Sequence, residues 1–290
     1  MHRFAIVNGQ FVPEDQAVVS IFDRGFLYGD GLFETVRIYG GKVYRLNRHL
    51  ERLWAGMNTL RFTISTTPVS LARLVNHLAQ RNEVREGFCR IIVTRGISDF
   101  GLGTTSAHDP NVVLYAQSRE PFSADRYARG FRVIVARERA NAQATMEVTK
   151  TISRVHHVIA KMEAERAGVD DAIMLNTDGH LAEGTSSNLF LVKGGALLTA
   201  PIEAGLLPGI TREIIQTLAT EEKVPIQEHK CNAQDLYGAD EAFLSSTLME
   251  LMAVVEVDGR KIGDGKPGPV TQKLHGAYRK LVAQELGHLA

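Results

Sequence analysis

Apolar positions recur along the chain with two different periods, and the changes of period mark its elements. In "NRHLERLWAGMNTLRF" Leu46, Leu50, Leu53 and Met57 fall on one helical stripe, and "VSLARLVNHLAQRNEV" repeats that amphipathic pattern. "FAIVNGQFV" is apolar on both sides of Asn8-Gly9, the signal of a hairpin with a two-residue turn. "GLFETVRIYGGKVYRL" predicts two strands around Gly40-Gly41, and "FCRIIVTRG" and "NVVLYAQS" predict two more. The second half opens on the strand "FRVIVARE". Its run "DDAIMLNTDGHLAEGTSSNLFLVKGGALLTAP" reads as a strand, a turn at Thr177-Asp178-Gly179, a short strand, an irregular "EGTSSN" and a hairpin at Gly194-Gly195. "LLPGITREIIQTLATEEKV" is a loop entering a helix, "EAFLSST" and "AVVEVDGRKI" are strands, and a last helix starts at about Val270. Strands cluster and helices intersperse without strict alternation, which predicts an α+β fold in two domains. The polar run "REPFSADRYARG" separates two strand runs. The expected division is a small N-terminal domain over 1–118, a loop over 119–131 and a larger domain over 132–290.

One stretch, "MEVTKTISRVHHVIAKMEAERAG" from Met146 to Gly168, holds two lysines in unlike settings. Val155, Val158, Ile159 and Met162 stand at i, i+3, i+4 and i+7 and predict the buried stripe of a helix, with Ser153 as N-cap and Gly168 as stop. Arg154, His157, Lys161 and Glu165 then share its wet face, so Lys161 reads as an ordinary solvated lysine. Lys150 lies outside that pattern, where a strand-like run from Met146 to Thr149 meets the helix. A lysine held among apolar neighbours such as Val148 and Ile152 loses ammonium stability and becomes a usable amine.

Composition narrows the classes. The chain of 290 residues is 44% hydrophobic and 23% charged, enough to bury a substantial core. Lysine plus arginine equals aspartate plus glutamate at 33 each, so charge makes no case for nucleic acid or an anionic membrane as partner. Cys89 and Cys231 form no CxxC pair, which argues against a disulfide or metal framework and for a reducing, cytoplasmic compartment. No secretory signal is expected from "MHRFAIVNGQFV", and no stretch approaches a membrane span.

Four features carry possible chemistry. "LPGIT" is either a plain helix start or an anion site, with the amides of Ile210 and Thr211 presented after Gly209. "FLSST" sets hydroxyls in a row at a strand end, fit for a turn or for a phosphate. Arg52 flanks an apolar stripe, and Glu183 ends a short strand beside a glycine. One amine, one carboxylate, one arginine and two donor clusters are what a pyridoxal phosphate site needs.

The stretch "KTISRVHHVIAKMEAERAGVDDAIMLNTDGHLAEGTSSNLFLV" resembles the core of the class IV, or fold type IV, pyridoxal-phosphate aminotransferases. The likeness extends through "DRGFLYGDGLFETVRIYGGKVYRLNRHLERL", "TRG", "LPGITREII" and "DEAFLSST", in that order. It implies a small N-terminal α/β domain, a larger C-terminal pseudo-barrel domain, pyridoxal 5'-phosphate as cofactor and at least a homodimer. By resemblance Lys150 forms the Schiff base and Glu183 pairs with the pyridine nitrogen, while Arg52, Ile210, Thr211, Ser246 and Thr247 bind phosphate. No metal is implied. The implied activity is ping-pong transamination with amino acid and 2-oxo acid substrates, Lys150 moving the proton as general acid and base.

Within the family, Phe33 in "GLFETVR", Arg90 in "FCRIIV" and the loop "SDFGLG" resemble the branched-chain enzymes. Branched-chain L-amino acids are therefore the expected donors and 2-oxoglutarate the acceptor. The expected substrate contacts are Phe33, Arg37, Phe88, Arg90, Leu248 and Met249. Phe88 and Val155 take the places of family tyrosines, Leu248 and Met249 replace small residues, and "RVHH" from Arg154 matches no subgroup. The alternatives are a D-amino acid or (R)-amine aminotransferase, and an aminodeoxychorismate lyase. The loop from Gly96 to Thr105 is expected to be a mobile cover that completes the partner subunit's pocket.

Overall fold

The computed structural model of the chain describes residues 3–287. These divide into two compact units, one running to Pro121 and taking in Thr149–Ser153, the other holding Phe122–Val148 and the chain from Arg154 onward.

The first unit opens with β1 (Phe4–Val7) and β2 (Gln10–Pro13), joined by Asn8 and Gly9 at φ of +50° and +83°. Both residues are left-handed, as a turn matched to the twist of two strands requires. There follow α1 (Arg24–Tyr28), β3 (Gly31–Tyr39), β4 (Lys42–Val43), α2 (Leu46–Leu60), α3 (Pro68–Arg81), β5 (Gly87–Thr94) and β6 (Val112–Ser118). The strands form one antiparallel sheet in the order β2-β1-β6-β5-β3-β4. Alternation divides its two faces. Leu32, Val36 and Ile38 of β3 and Cys89, Ile91 and Val93 of β5 pack in one core with Leu50, Leu53 and Met57 of α2 and Val75 and Leu78 of α3. Burying each such side chain stabilises by about 1.5–3 kcal/mol. Phe33, Thr35 and Arg37 take the other face, opposite Ile92, Arg90 and Phe88 in the register.

The second unit begins with α4 (Ala124–Arg129), β7 (Phe131–Ala140), α5 (Thr145–Val148), α6 (Val155–Arg166), β8 (Asp171–Asn176) and β9 (Leu181–Gly184). It continues with β10 (Asn188–Lys193), β11 (Ala196–Thr199), α7 (Ile210–Glu221), β12 (Ile226–Glu228), α8 (Ala233–Tyr237), β13 (Glu241–Ser246), β14 (Glu250–Val257), β15 (Arg260–Lys261) and α9 (Pro269–Leu286). Its sheet runs β12-β11-β10-β13-β14-β7-β8-β9, and β9 also pairs with β10. Six strands therefore close on themselves as a pseudo-barrel, and the closing pair is Glu183 opposite Asn188. Phe190 of β10 and Phe243 of β13 stack with ring centroids 4.9 Å apart.

Four expectations are corrected. Within 119–131 the chain is not a loop throughout: Ser123 accepts a hydrogen bond from the Arg126 amide and starts α4, and β7 begins at Phe131. The run Met146 to Thr149 is mostly helical, as α5, rather than strand-like. In α6 the expected apolar stripe lies outward, while of the expected wet face His157 turns inward and Glu165 stays exposed. Val155, Val158, Ile159 and Met162 are exposed, at 68%, 55%, 41% and 42%, whereas His157, Ala160 and Ala164 are buried. The helix lies on β7 and β8 against Ala136, Ala172 and Met174. Such close approach admits alanine, so the branched side chains turn outward. Ser153 is not the cap either; Arg154 precedes the first turn and no side chain caps it.

Candidate active site

In the first unit, Lys150 sits in a turn beside β3, and the next residue, Thr151, bridges to Leu32. The Phe33 amide donates to the Lys150 carbonyl and the Ile152 amide to the Gly31 carbonyl, both at 3.0 Å. Gly31 permits this approach, since a Cβ there would meet the Val93 carbonyl at 2.5 Å and Ile152 at 3.1 Å. The half-buried Lys150 places its Nζ 4.7 Å from the centre of the Phe33 ring. The Arg90 guanidinium lies 3.9 Å from the same ring, with its Nη1 donating to Thr35 Oγ1 at 2.6 Å. Phe33, Phe88 and Arg90 thus share one sheet face, and Phe88 meets Tyr115 edge-on at 6.2 Å. Arg37 is on that face too, but it is buried and its Nη2 is bonded to Glu86 Oε2 at 2.8 Å.

Arg52 is half-buried and oriented from beneath. Its Nε and Nη2 donate to the two oxygens of Glu34 at 2.7 and 2.8 Å, and His49 Nδ1 lies 2.8 Å from Glu34 Oε2. Burial acts to raise the Glu34 carboxyl, but the charge of Arg52 and the bonds from His49 and Arg52 outweigh it and hold it far below the usual carboxylate range. His49 is held low by its own burial, so a neutral ring donates to an anionic Glu34. A planar guanidinium fixed in this way is suited to an oxyanion.

In the second unit, Glu183 ends β9 and is 4% exposed. Its Oε2 accepts from the Leu207 amide at 3.0 Å and from Asn188 Nδ2 at 3.4 Å; its Oε1 lies 3.0 Å from His157 Nε2. Burial holds the His157 ring below its usual range, against the bond to Glu183 and aided by the charge of Arg154. Among the described residues, the groups bonded to Glu183 are therefore neutral. A buried carboxylate with neutral donors is costly unless a cation or proton meets it. That chemistry fits a pyridine nitrogen.

The N-terminus of α7 follows Gly209, with no side chain capping it, and Thr211 is buried in its first turn. A Cβ at Gly209 would meet Asn188 Oδ1 at 2.0 Å, so only glycine fits there. The helix packs on β13, whose end carries Ser245 and Ser246 before the turn with Thr247. Ser245 Oγ is buried without a hydrogen-bond partner among the described residues. An uncapped helix start and such hydroxyls fit a phosphate. Leu248 is half-buried, whereas Met249 belongs to the unit's hydrophobic core and its carbonyl accepts from Tyr127 Oη at 3.0 Å.

His157 escaped the sequence reading, which placed it on the wet face of α6. The signal that finds it is the small-residue spacing His157, Ala160, Ala164, the mark of a helix seated closely on a sheet. One oxygen of Glu147 and a nitrogen of each of His156 and His157 lie within 4.8 Å of one another. Arg154 Nη1, 3.1 Å from His157 Nε2, sets a permanent positive charge beside that group and disfavours a cation there.

The family profile described as amino-transferase class IV matches residues 31–257. A Methanocaldococcus jannaschii protein assigned as a branched-chain-amino-acid aminotransferase is 36% identical over 95% of both chains. The D-alanine aminotransferase of Listeria monocytogenes is 32% identical over 98% of both. A solved branched-chain aminotransferase from the thermophilic archaeon Thermoproteus uzoniensis, with norvaline, superposes with a TM-score of 0.91 at 29% identity, covering 99% of this chain and 97% of that one. The two-unit architecture, the pseudo-barrel and these matches agree: the chain belongs to the class IV aminotransferases, transaminases whose cofactor is pyridoxal 5'-phosphate.

Proposed function

We propose that this transaminase takes its amino group from a branched-chain L-amino acid and passes it to a 2-oxo acid such as 2-oxoglutarate. The observation that carries this reading is the Phe33 ring, set 4.7 Å from the Lys150 amine and 3.9 Å from the Arg90 guanidinium. An apolar ring beside the amine favours an aliphatic side chain, by roughly 0.8 kcal/mol per buried CH₂. A guanidinium beside it suits the second carboxylate of the acceptor. Lys150 would hold the cofactor through its amine and, with that amine free, would move a proton at the substrate Cα as general acid and base. The cofactor supplies an electron sink that lets this proton leave. Glu183 accepts the hydrogen bond of the ring nitrogen. Arg52, the amides of Ile210 and Thr211, and the hydroxyls of Ser246 and Thr247 bind the phosphate. We assign the working form as a homodimer, in which the loop with Phe100 and Leu102 faces the partner.

A panel of L-leucine, L-isoleucine, L-valine and D-alanine, each with 2-oxoglutarate and with pyruvate, tests the donor. The expected outcome is turnover of the branched L-amino acids with 2-oxoglutarate, and a larger loss for 2-oxoglutarate than for L-leucine in Arg90→Ala. Turnover of D-alanine without L-leucine selects the second reading, a D-amino acid aminotransferase, which the Listeria relative supports. Borohydride reduction followed by peptide mapping should place the cofactor on Lys150. Lys150→Ala should lose the adduct and turnover, and Lys161→Ala should keep both, because Lys161 Nζ serves instead as donor to the Asp170 carbonyl at 2.6 Å.

A further inference from the structure

Two residues of the "RVHH" stretch form a second layer behind Glu183, and neither enters the transamination chemistry described above. His157 is 5% exposed on the inward face of α6. Its Nε2 lies 3.0 Å from Glu183 Oε1. Arg154 Nη1 lies 3.1 Å from His157 Nε2 and 3.4 Å from Nδ1. The ring of His156 leans over it with centroids 4.1 Å apart, and His156 Nε2 is itself 3.3 Å from Glu147 Oε2. The Glu183 oxygen, an acceptor, calls for the proton of the neutral ring at Nε2, and the Arg154 guanidinium lies against both ring nitrogens, nearer to Nε2 than to Nδ1.

The arrangement has a chemical consequence at the carboxylate. A permanent cation in the place of His157 would form an ion pair with Glu183 and satisfy its charge from within the protein. A neutral imidazole fixes the direction of one oxygen and leaves the charge to be met by whatever binds. Arg154 maintains this, because its charge opposes a second positive charge on the ring. Asn188 and the Leu207 amide hold the other oxygen with neutral donors in the same way.

We propose that His157 is a positioning residue, backed by Arg154, that aims Glu183 and sets how strongly this carboxylate draws the proton of the cofactor's ring nitrogen. The inference rests on the assignment of Glu183 to that nitrogen. It concerns a residue that contacts neither substrate nor the transferred proton.

The test compares the affinity of the full-length apoprotein for pyridoxal 5'-phosphate with that for its carbocyclic analogue, in which CH replaces the ring nitrogen. The two ligands share the aldehyde and the phosphate, so their affinity ratio isolates the nitrogen and cancels any general loosening of the site. A hydrogen bond involving a charged partner predicts that the wild type prefers the nitrogen-bearing ligand by about tenfold or more. His157→Leu should lose most of this preference, and His157→Asn, which keeps a neutral N–H donor, should retain it to within about threefold. His157→Ala serves the same purpose if the leucine variant does not fold, as judged by its apoprotein melting curve. An unchanged ratio in the folded leucine or alanine variant overturns the role of His157. If Glu183→Gln also keeps the wild-type ratio, the assignment of Glu183 itself fails, and the two failures are thereby told apart.

Discussion

Single residues carry this chain's charge design, and burial decides how. Glu250 sits between His275 Nε2 at 2.8 Å and Arg279 Nε at 2.9 Å. Its burial would raise the carboxyl, but these two partners overcome that and bring it down to about 2. A carboxyl lowered in the folded state contributes stability that is complete above its unfolded value near 4.5 and is lost as pH falls toward about 2. The contribution is on the order of 3 kcal/mol. Acid titration of thermal or urea stability should therefore show a steep decline from about pH 4.5 to 2, and Glu250→Gln should flatten it while lowering stability at pH 7. An equally steep acid limb in the variant would assign the decline to other carboxylates. At this scale the sequence was partly legible. Lys150 could be singled out because it stood outside a helical pattern, but the partners of Glu34, Glu183 and Glu250 come from distant strands and helices. No local spacing records them.

Elements were legible where a period met a tertiary face of the same kind. α2 buries Leu46, Leu50, Leu53 and Met57 because a broad sheet face receives large side chains. α6 broke the rule because its sheet offers only close approach over alanines, so packing distance overrode hydrophobicity. The turn dipeptides Asn8-Gly9 and Gly194-Gly195 were found directly, since positive φ at both positions has a chemical signature. The loop after β5, expected to be a cover for the partner's pocket, is bonded back to α1 within the first unit. Buried Arg24 pairs with Asp30 at 2.8 Å, and its Nη1 and Nη2 donate to Ser98 Oγ and to the carbonyls of Gly101, Leu102 and Gly103. Phe100 and Leu102 project from it into solvent. Arg24→Lys keeps the charge but loses the planar fork that reaches several carbonyls at once. It should cost about 1–2 kcal/mol and raise chymotryptic cleavage at Phe100 by about tenfold. Unchanged cleavage would show that the loop is held by other means.

At the scale of the whole molecule, the two-domain class was legible from clustered strands and dispersed helices, whereas the assignment of Thr149–Ser153 was not. Those five residues cluster with the first unit although the chain on both sides belongs to the second. The first unit leaves Ile21, Phe22, Phe26 and Phe100 at 65%, 62%, 70% and 104% exposure. Apolar surface of that kind marks an interaction face. Sedimentation at micromolar concentration should give a dimer, and Phe26→Asp combined with Phe100→Asp should shift it to monomer; a wild-type monomer that remains fully active would remove the homodimer from the proposed function. The barrel of the second unit closes through one residue pair, Glu183 with Asn188, and Leu207 donates its amide to the same carboxylate. The residue that clasps the hoop is thus the one proposed to read the cofactor. Opening that clasp and releasing the cofactor become the same local event, so occupancy should be measurable as the lifetime of a backbone proton. At about a hundredfold excess of ligand over its dissociation constant, linkage adds about 2.7 kcal/mol to the closed form. Deuterium uptake at the Leu207 amide should slow by about a hundredfold when the cofactor binds.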